Sequence, residues 1–154
     1  MPSVQDRLRE MRLELPARRS VGQYVGAVQT GNLLFVSGAG PLGPDGKLMT
    51  GKLGAGLGVE AGQAAAKLCA LSSLSAVQEA LGALDRVARI VKLLGFVNSA
   101  SGFSQQPAVV DGASSFLIEL FGDRGAHARS AVGVAELPFN IPVEVEMIVE
   151  VAGE

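Results

Sequence analysis

The chain is poor in the residues that would tie it to a metal, a disulfide or a nucleic acid. Its 154 residues include one cysteine, Cys69, and one histidine, His127. A lone cysteine forms no intrachain disulfide, which is the usage of a reducing, cytoplasmic compartment. One Cys and one His do not fill a zinc shell, so no metal is expected. Tryptophan is absent, tyrosine occurs once (Tyr24) and phenylalanine six times, too few rings for a base-stacking platform. The formal net charge of −2 leaves no basic footprint for nucleic acid or an anionic membrane. No apolar run reaches the roughly 18 residues of a spanning helix. Met1 to Leu15 is charged throughout and lacks the apolar centre of a signal peptide. The glycine-dense stretch from Gly51 to Gly58 lacks the Gly-Lys-Ser/Thr ending of a phosphate-binding loop and reads as an ordinary loop.

What is present describes a compact chain. Hydrophobic residues make up 48% and charged residues 18%, which excludes disorder and predicts one domain over 1–154, with 1–16 as an N-terminal helical extension. So little charge also suggests that part of the surface is covered by another subunit. Ser3 and Asp6 open a helix whose stripe is Val4, Leu8, Met11 and Leu15, and Pro16 should end it. Tyr24 to Thr30 and Leu33 to Ser37 flank Gly31-Asn32 and read as a hairpin. Val59 to Leu81 is the strongest helix, with Gly82 placed to cap it. Val87 to Val97 reads as a buried strand, and Pro107 introduces a second long helix that Gly122 closes. Cys69 is expected as a small core residue, and His127 as a loop residue.

The tail carries the chemistry. Ala128 to Val134 and Val143 to Val151 alternate with period 2 around a loop containing Pro138. Val143, Val145, Met147, Val149 and Val151 share one face of the last strand, and Glu144, Glu146 and Glu150 share the other. The element order predicts an α+β fold, one sheet with two long helices on a single face. Its other face then meets a second chain or stays wet. Arg129 stands at the mouth of one tail strand, and a guanidinium is the group best shaped to grip a carboxylate through two parallel hydrogen bonds. A neighbouring carboxylate could handle water or a proton. On residue type alone, Arg129 equally suits an ordinary solvated arginine or the partner of a structural acid.

The combination Tyr24-Val25, Gly31-Asn32, Phe35-Val36-Ser37-Gly38, Gly95-Phe96-Val97 and Ala128-Arg129-Ser130 through Glu144-Val145-Glu146 resembles the YjgF/RidA family of enamine/imine deaminases, once labelled endoribonuclease L-PSP. The resemblance runs from about Gly22 to Val151. It implies a chorismate-mutase-like fold assembled as a homotrimer with ligand clefts between subunits. It also implies hydrolysis of 2-imino or 2-aminoacrylate acids to 2-keto acids and ammonia, without metal or organic cofactor. Carried over residue by residue, Arg129 matches the arginine that binds the substrate carboxylate. Glu146 matches the glutamate that positions water or relays a proton. Tyr24, Ser37, Gly38 and Ala131 match positions lining the cleft. The chain departs from the common pattern at Ala39, where glutamine is frequent, and at Ala131, where cysteine is frequent. It departs again at Asp111 or Gly112, where many members have asparagine, and at His127, where proline is usual.

Two other readings stand beside an imine hydrolase. One is a non-catalytic trimer that binds or senses a small carboxylate such as a 2-keto acid. The other is the ribonuclease of the old label, against which the acidic balance and scarce aromatics argue.

Overall fold

The structure, a computed structural model, describes residues 1–17 and 22–153. A five-stranded mixed sheet runs in the order β1-β2-β7-β5-β6. Its strands are β1 (Ala27–Thr30), β2 (Leu33–Ala39), β5 (Val87–Asn98), β6 (Ala128–Val134) and β7 (Val143–Val151). All pairings are antiparallel except β5 with β6, which helix α3 (Gln106–Phe121) connects as a parallel crossover. Helix α2 (Val59–Leu81) leads from β2 to β5, and a short α1 (Val4–Glu10) precedes them all. This is the expected α+β architecture.

The alternation of β7 explains the layering. Val143, Val145, Met147, Val149 and Val151 are buried together with Leu71, Leu74, Val77, Val110, Leu117 and Leu120 of the two helices. Helix and sheet approach closely because small residues stand at the crossings. A Cβ on Gly95 of β5 would lie 2.5 Å from a Val110 methyl, and one on Gly112 would lie 2.1 Å from the Gln63 carbonyl oxygen of α2. Only glycine fits between two backbones at that separation.

Several expectations need adjustment. α1 ends at Glu10, before the region of Pro16, because Arg12 takes a left-handed φ of 57°. The Arg12 amide donates to Arg9 O and the Leu13 amide to Leu8 O, so the terminus closes as a Schellman motif with arginine in the usual glycine place. The start of α1 is as expected, a capping box between Ser3 and Asp6. The Asp6 carboxyl is held below its ordinary range chiefly by its hydrogen bonds from Ser3. Arg7 Nη1 then donates to Leu120 O at the end of α3, 2.9 Å away, which ties the extension to the core.

The first hairpin strand starts at Ala27 rather than Tyr24, and the Tyr24 ring lies over Gly22. The loop from Gly51 to Gly58 contains two strands of two residues, β3 (Lys52–Leu53) and β4 (Gly56–Leu57), paired in parallel. The bounds of α2 and its Gly82 cap are those read from the sequence. Among the described residues no helix is long and apolar enough to cross a membrane.

Candidate functional site

Strand register distributes five of the six nominated residues over two faces of one sheet, and Tyr24 precedes the first strand. Arg129 pairs with Leu93, and Leu93 with Met147, so Arg129 projects on the side covered by α3. Ala131 pairs with Gly95 on that same side and packs against the core. Glu144 and Glu146 alternate with buried Val145 and therefore project on the opposite, open side. Three strand spacings separate β6 from β2, about 14 Å across the sheet. One protomer therefore does not bring Arg129 and Ala131 together with Ser37, Gly38 and the glutamates.

The guanidinium end is organised by α3. Arg129 Nη1 donates to Asp111 Oδ1 at 2.6 Å and to Ser114 Oγ at 3.2 Å, and Nη2 donates to Pro107 O at 3.3 Å. The Ser114 hydroxyl also meets His127 Nε2 at 2.9 Å, while His127 Nδ1 faces Gly125 O at 2.6 Å. A carbonyl only accepts, so Nδ1 bears a hydrogen, and the ring is held between Gly125 O and the Ser114 hydroxyl. The Asp111 contact uses one carboxylate oxygen, and the Asp111 side chain is 56% exposed. Exposed pairs of this kind contribute roughly 0.2–1 kcal/mol. A bidentate, charge-assisted grip on a ligand is worth more, about 1.5–3 kcal/mol. The internal pair orients Arg129 without locking it.

The carboxylate end lies where β2 bulges. Register shifts between Val36 and Ala39, which brings Gly38 against Glu144: a Cβ on Gly38 would stand 2.6 Å from Glu144 Oε2. Ser37 Oγ donates to Val25 O at 2.7 Å, and its amide donates to Gly26 O, fixing the segment after Tyr24 beside this bulge. Burial pushes the Glu144 carboxyl above its ordinary value, and the charge of Glu146 adds to the rise. The perturbed acid is therefore Glu144, with Glu146 as its electrostatic neighbour. Alternation alone gave the three glutamates of this face equal standing. The bulge that buries one of them has no signal in periodicity beyond Gly38 itself. Cys69, behind Glu144 on α2, donates its thiol to Val143 O and is raised well above the ordinary thiol range, first by burial and then by Glu144.

The rest of the open face is mixed, with Lys92 donating to Ser130 Oγ at 3.3 Å among apolar neighbours. Val28, Phe35 and Val132 are 57%, 43% and 43% exposed, and Leu94, Phe96 and Ile148 lie between them in register. A shallow concavity of about 600 Å³ at the far end of the sheet is lined by Leu33, Arg89, His127 and Glu150, among others, and contains none of the six nominated residues. No group of three His, Cys, Asp or Glu side chains converges for a metal among the described residues.

Residues 5–151 match the family described as YjgF/chorismate mutase-like, putative endoribonuclease. The chain belongs to the YjgF family.

Protein TCP17 of Trypanosoma cruzi is 50% identical over 145 residues, 93% of this chain and 91% of that one. A YjgF-type relative named 2-iminobutanoate/2-iminopropanoate deaminase, from Dermatophagoides farinae, is 36% identical over 134 residues, 86% of this chain and 89% of its own. The crystal structure of Atu1372 from Agrobacterium tumefaciens superposes with a TM-score of 0.90 at 42% identity, covering 98% of this chain and 94% of that one. As a YjgF-family sheet, the architecture places Arg129 and Ala131 toward α3 and Glu144 and Glu146 on the open face.

Proposed function

We propose that the chain is an imine deaminase that hydrolyses 2-imino acids, with its cleft formed between copies in a homotrimer. The observation that carries this reading is the split of the candidate residues. Arg129 and Ala131 lie toward α3 at the edge strand β6, and Ser37, Gly38 and Glu146, with Glu144 beside it, lie on the open face. Docking the open face of one copy against the β6 edge of the next would bury its apolar residues and bring the two half-sites together. Relatives named 2-iminobutanoate/2-iminopropanoate deaminase supply the reaction class.

The chemistry asks little of the protein. The C=N carbon of an iminium is already electrophilic, so holding the acid and presenting one water are enough. Arg129 takes the substrate carboxylate on its Nε–H and second Nη2 hydrogen, beside the Asp111 that holds Nη1. Glu144, poised by burial and by Glu146, takes a proton as water adds to C2 and returns it to nitrogen as ammonia leaves. The overall change is imino acid plus water giving 2-keto acid plus ammonia. Tyr24 and the Ser37–Gly38 bulge wall the cleft.

Loss of 2-iminobutanoate, generated in the assay from its amino acid, tests the reading. Acceleration by the wild type that falls at least tenfold in Arg129→Ala supports it, and equal rates with and without protein would overturn it. A relative named putative regulator AldR motivates one second reading, a trimer that binds small carboxylates without turning over an imine. Calorimetric binding of 2-oxobutanoate in a chain that leaves the imine untouched would decide for it.

A further inference from the structure

Asp111 occupies Arg129 in the way a ligand carboxylate would. Its backbone position is rigid, because the next residue, Gly112, packs directly on the Gln63 backbone of α2. The guanidinium orientation is equally defined by Ser114 and Pro107 O, and Ser114 is itself held by His127. Both hydrogens of Nη1 and one of Nη2 are therefore engaged, leaving the second Nη2 hydrogen and Nε–H for a ligand. Asp111 Oδ2 has no hydrogen-bond partner among the described residues and stays open to one. The pair thus presents donors and an acceptor side by side with no net charge.

We propose that Asp111 is a specificity-determining residue: it makes Arg129 a poor site for a plain carboxylate and a good one for a carboxylate that carries a protonated nitrogen on the adjacent carbon. A 2-keto acid on the same guanidinium hydrogens sets only acceptor oxygens against Asp111 Oδ2 and lies beside its like charge. An iminium or ammonium acid places its carboxylate on the remaining guanidinium hydrogens and its N–H on Asp111 Oδ2. Substrate then outcompetes product by charge pattern rather than by size. The inference rests on the proposed carboxylate grip of Arg129, and its test separates the two.

The test titrates the full chain and its Asp111→Asn, Asp111→Ala and Arg129→Ala variants calorimetrically with 2-oxobutanoate and with 2-aminobutanoate. Asn and Ala at an exposed helical position preserve the fold, which thermal melts check. The expected result is that both Asp111 variants shift preference toward 2-oxobutanoate by about tenfold or more, through tighter keto acid binding, weaker amino acid binding, or both. Arg129→Ala loses both ligands. An unchanged preference in the Asp111 variants, or no binding of either ligand by them, overturns the proposal. Retention of both ligands by Arg129→Ala overturns the grip itself, whatever Asp111 does.

Discussion

The two faces of the central sheet are written by the same strands and obey different rules. On the face under α2 and α3, every second residue of β7 is buried, and glycines set the distance between layers. On the open face, the alternate residues of the same strand are glutamates and an isoleucine, beside Phe35, Leu94, Phe96 and Val132. The first face has one packing solution and tolerates little. The second is a surface whose charges remain available for chemistry and whose apolar residues are available to a neighbour. Arg129 belongs to the first face by register, yet lies at its margin on the edge strand.

The contrast breaks most visibly at Gly112. An added methyl would stand 2.1 Å from the Gln63 carbonyl oxygen, and neither backbone can yield without moving a helix. Gly112→Ala is expected to cost about 3 kcal/mol or more in denaturant unfolding. The open-face control, Val132→Ala, should stay within about 1 kcal/mol in the isolated protomer, since that residue is already 43% exposed. Comparable losses in both would mean that the layers are less tightly fitted than the glycine contacts indicate.

Arg129→Ala should separate stability from activity. Its partners are an exposed acid, a hydroxyl and a carbonyl, so unfolding free energy should change by about 1 kcal/mol at most. Imine turnover should fall by one to two orders of magnitude in kcat/KM, the range of a lost charge-assisted grip. A stability loss larger than the activity loss would make this arginine a structural residue of the α3 margin. Phe35→Asp acts on the open face instead. It should leave the secondary structure intact and shift the oligomer toward monomer in light scattering, because a carboxylate on that surface must be desolvated to be covered.

How much of this was readable in the residues follows the same division. The packed face was legible because burial forces periodicity: the β7 alternation, the bounds of α2 with Gly82, and the order of elements all follow from apolar spacing and its breaks. The Arg12 cap of α1 was not, since a left-handed arginine leaves no pattern where glycine would. At the candidate site, residue types at a spacing nominated Arg129 and Glu146, which the structure places on opposite sides of the sheet. Which glutamate is perturbed depended on the bulge at Gly38, a register event between two distant strands. The Asp111 contact depended on α3 crossing over β6, eighteen positions away in sequence. Long-range register is set by tertiary packing, and no local window contains it.

The smallest expected effect is also the most specific to one face. The folded state holds the Glu144 proton more tightly than the unfolded chain does, because burial and Glu146 disfavour its charge. Between the ordinary glutamate value of 4.5 and its raised folded value, the native protein therefore binds more protons, and stability falls as pH rises through that window. Above the window, the cost of the buried charge is fully present. Glu144→Gln removes the charge while keeping the shape, so it should melt slightly higher than wild type at pH 8 and gain nothing at pH 4. Melts of both proteins across that range check the sign. A gap that is constant with pH, or larger in acid, would show that Glu144 is as well solvated as the other acids of its face, and the open side would lose its one group tuned to hold a proton.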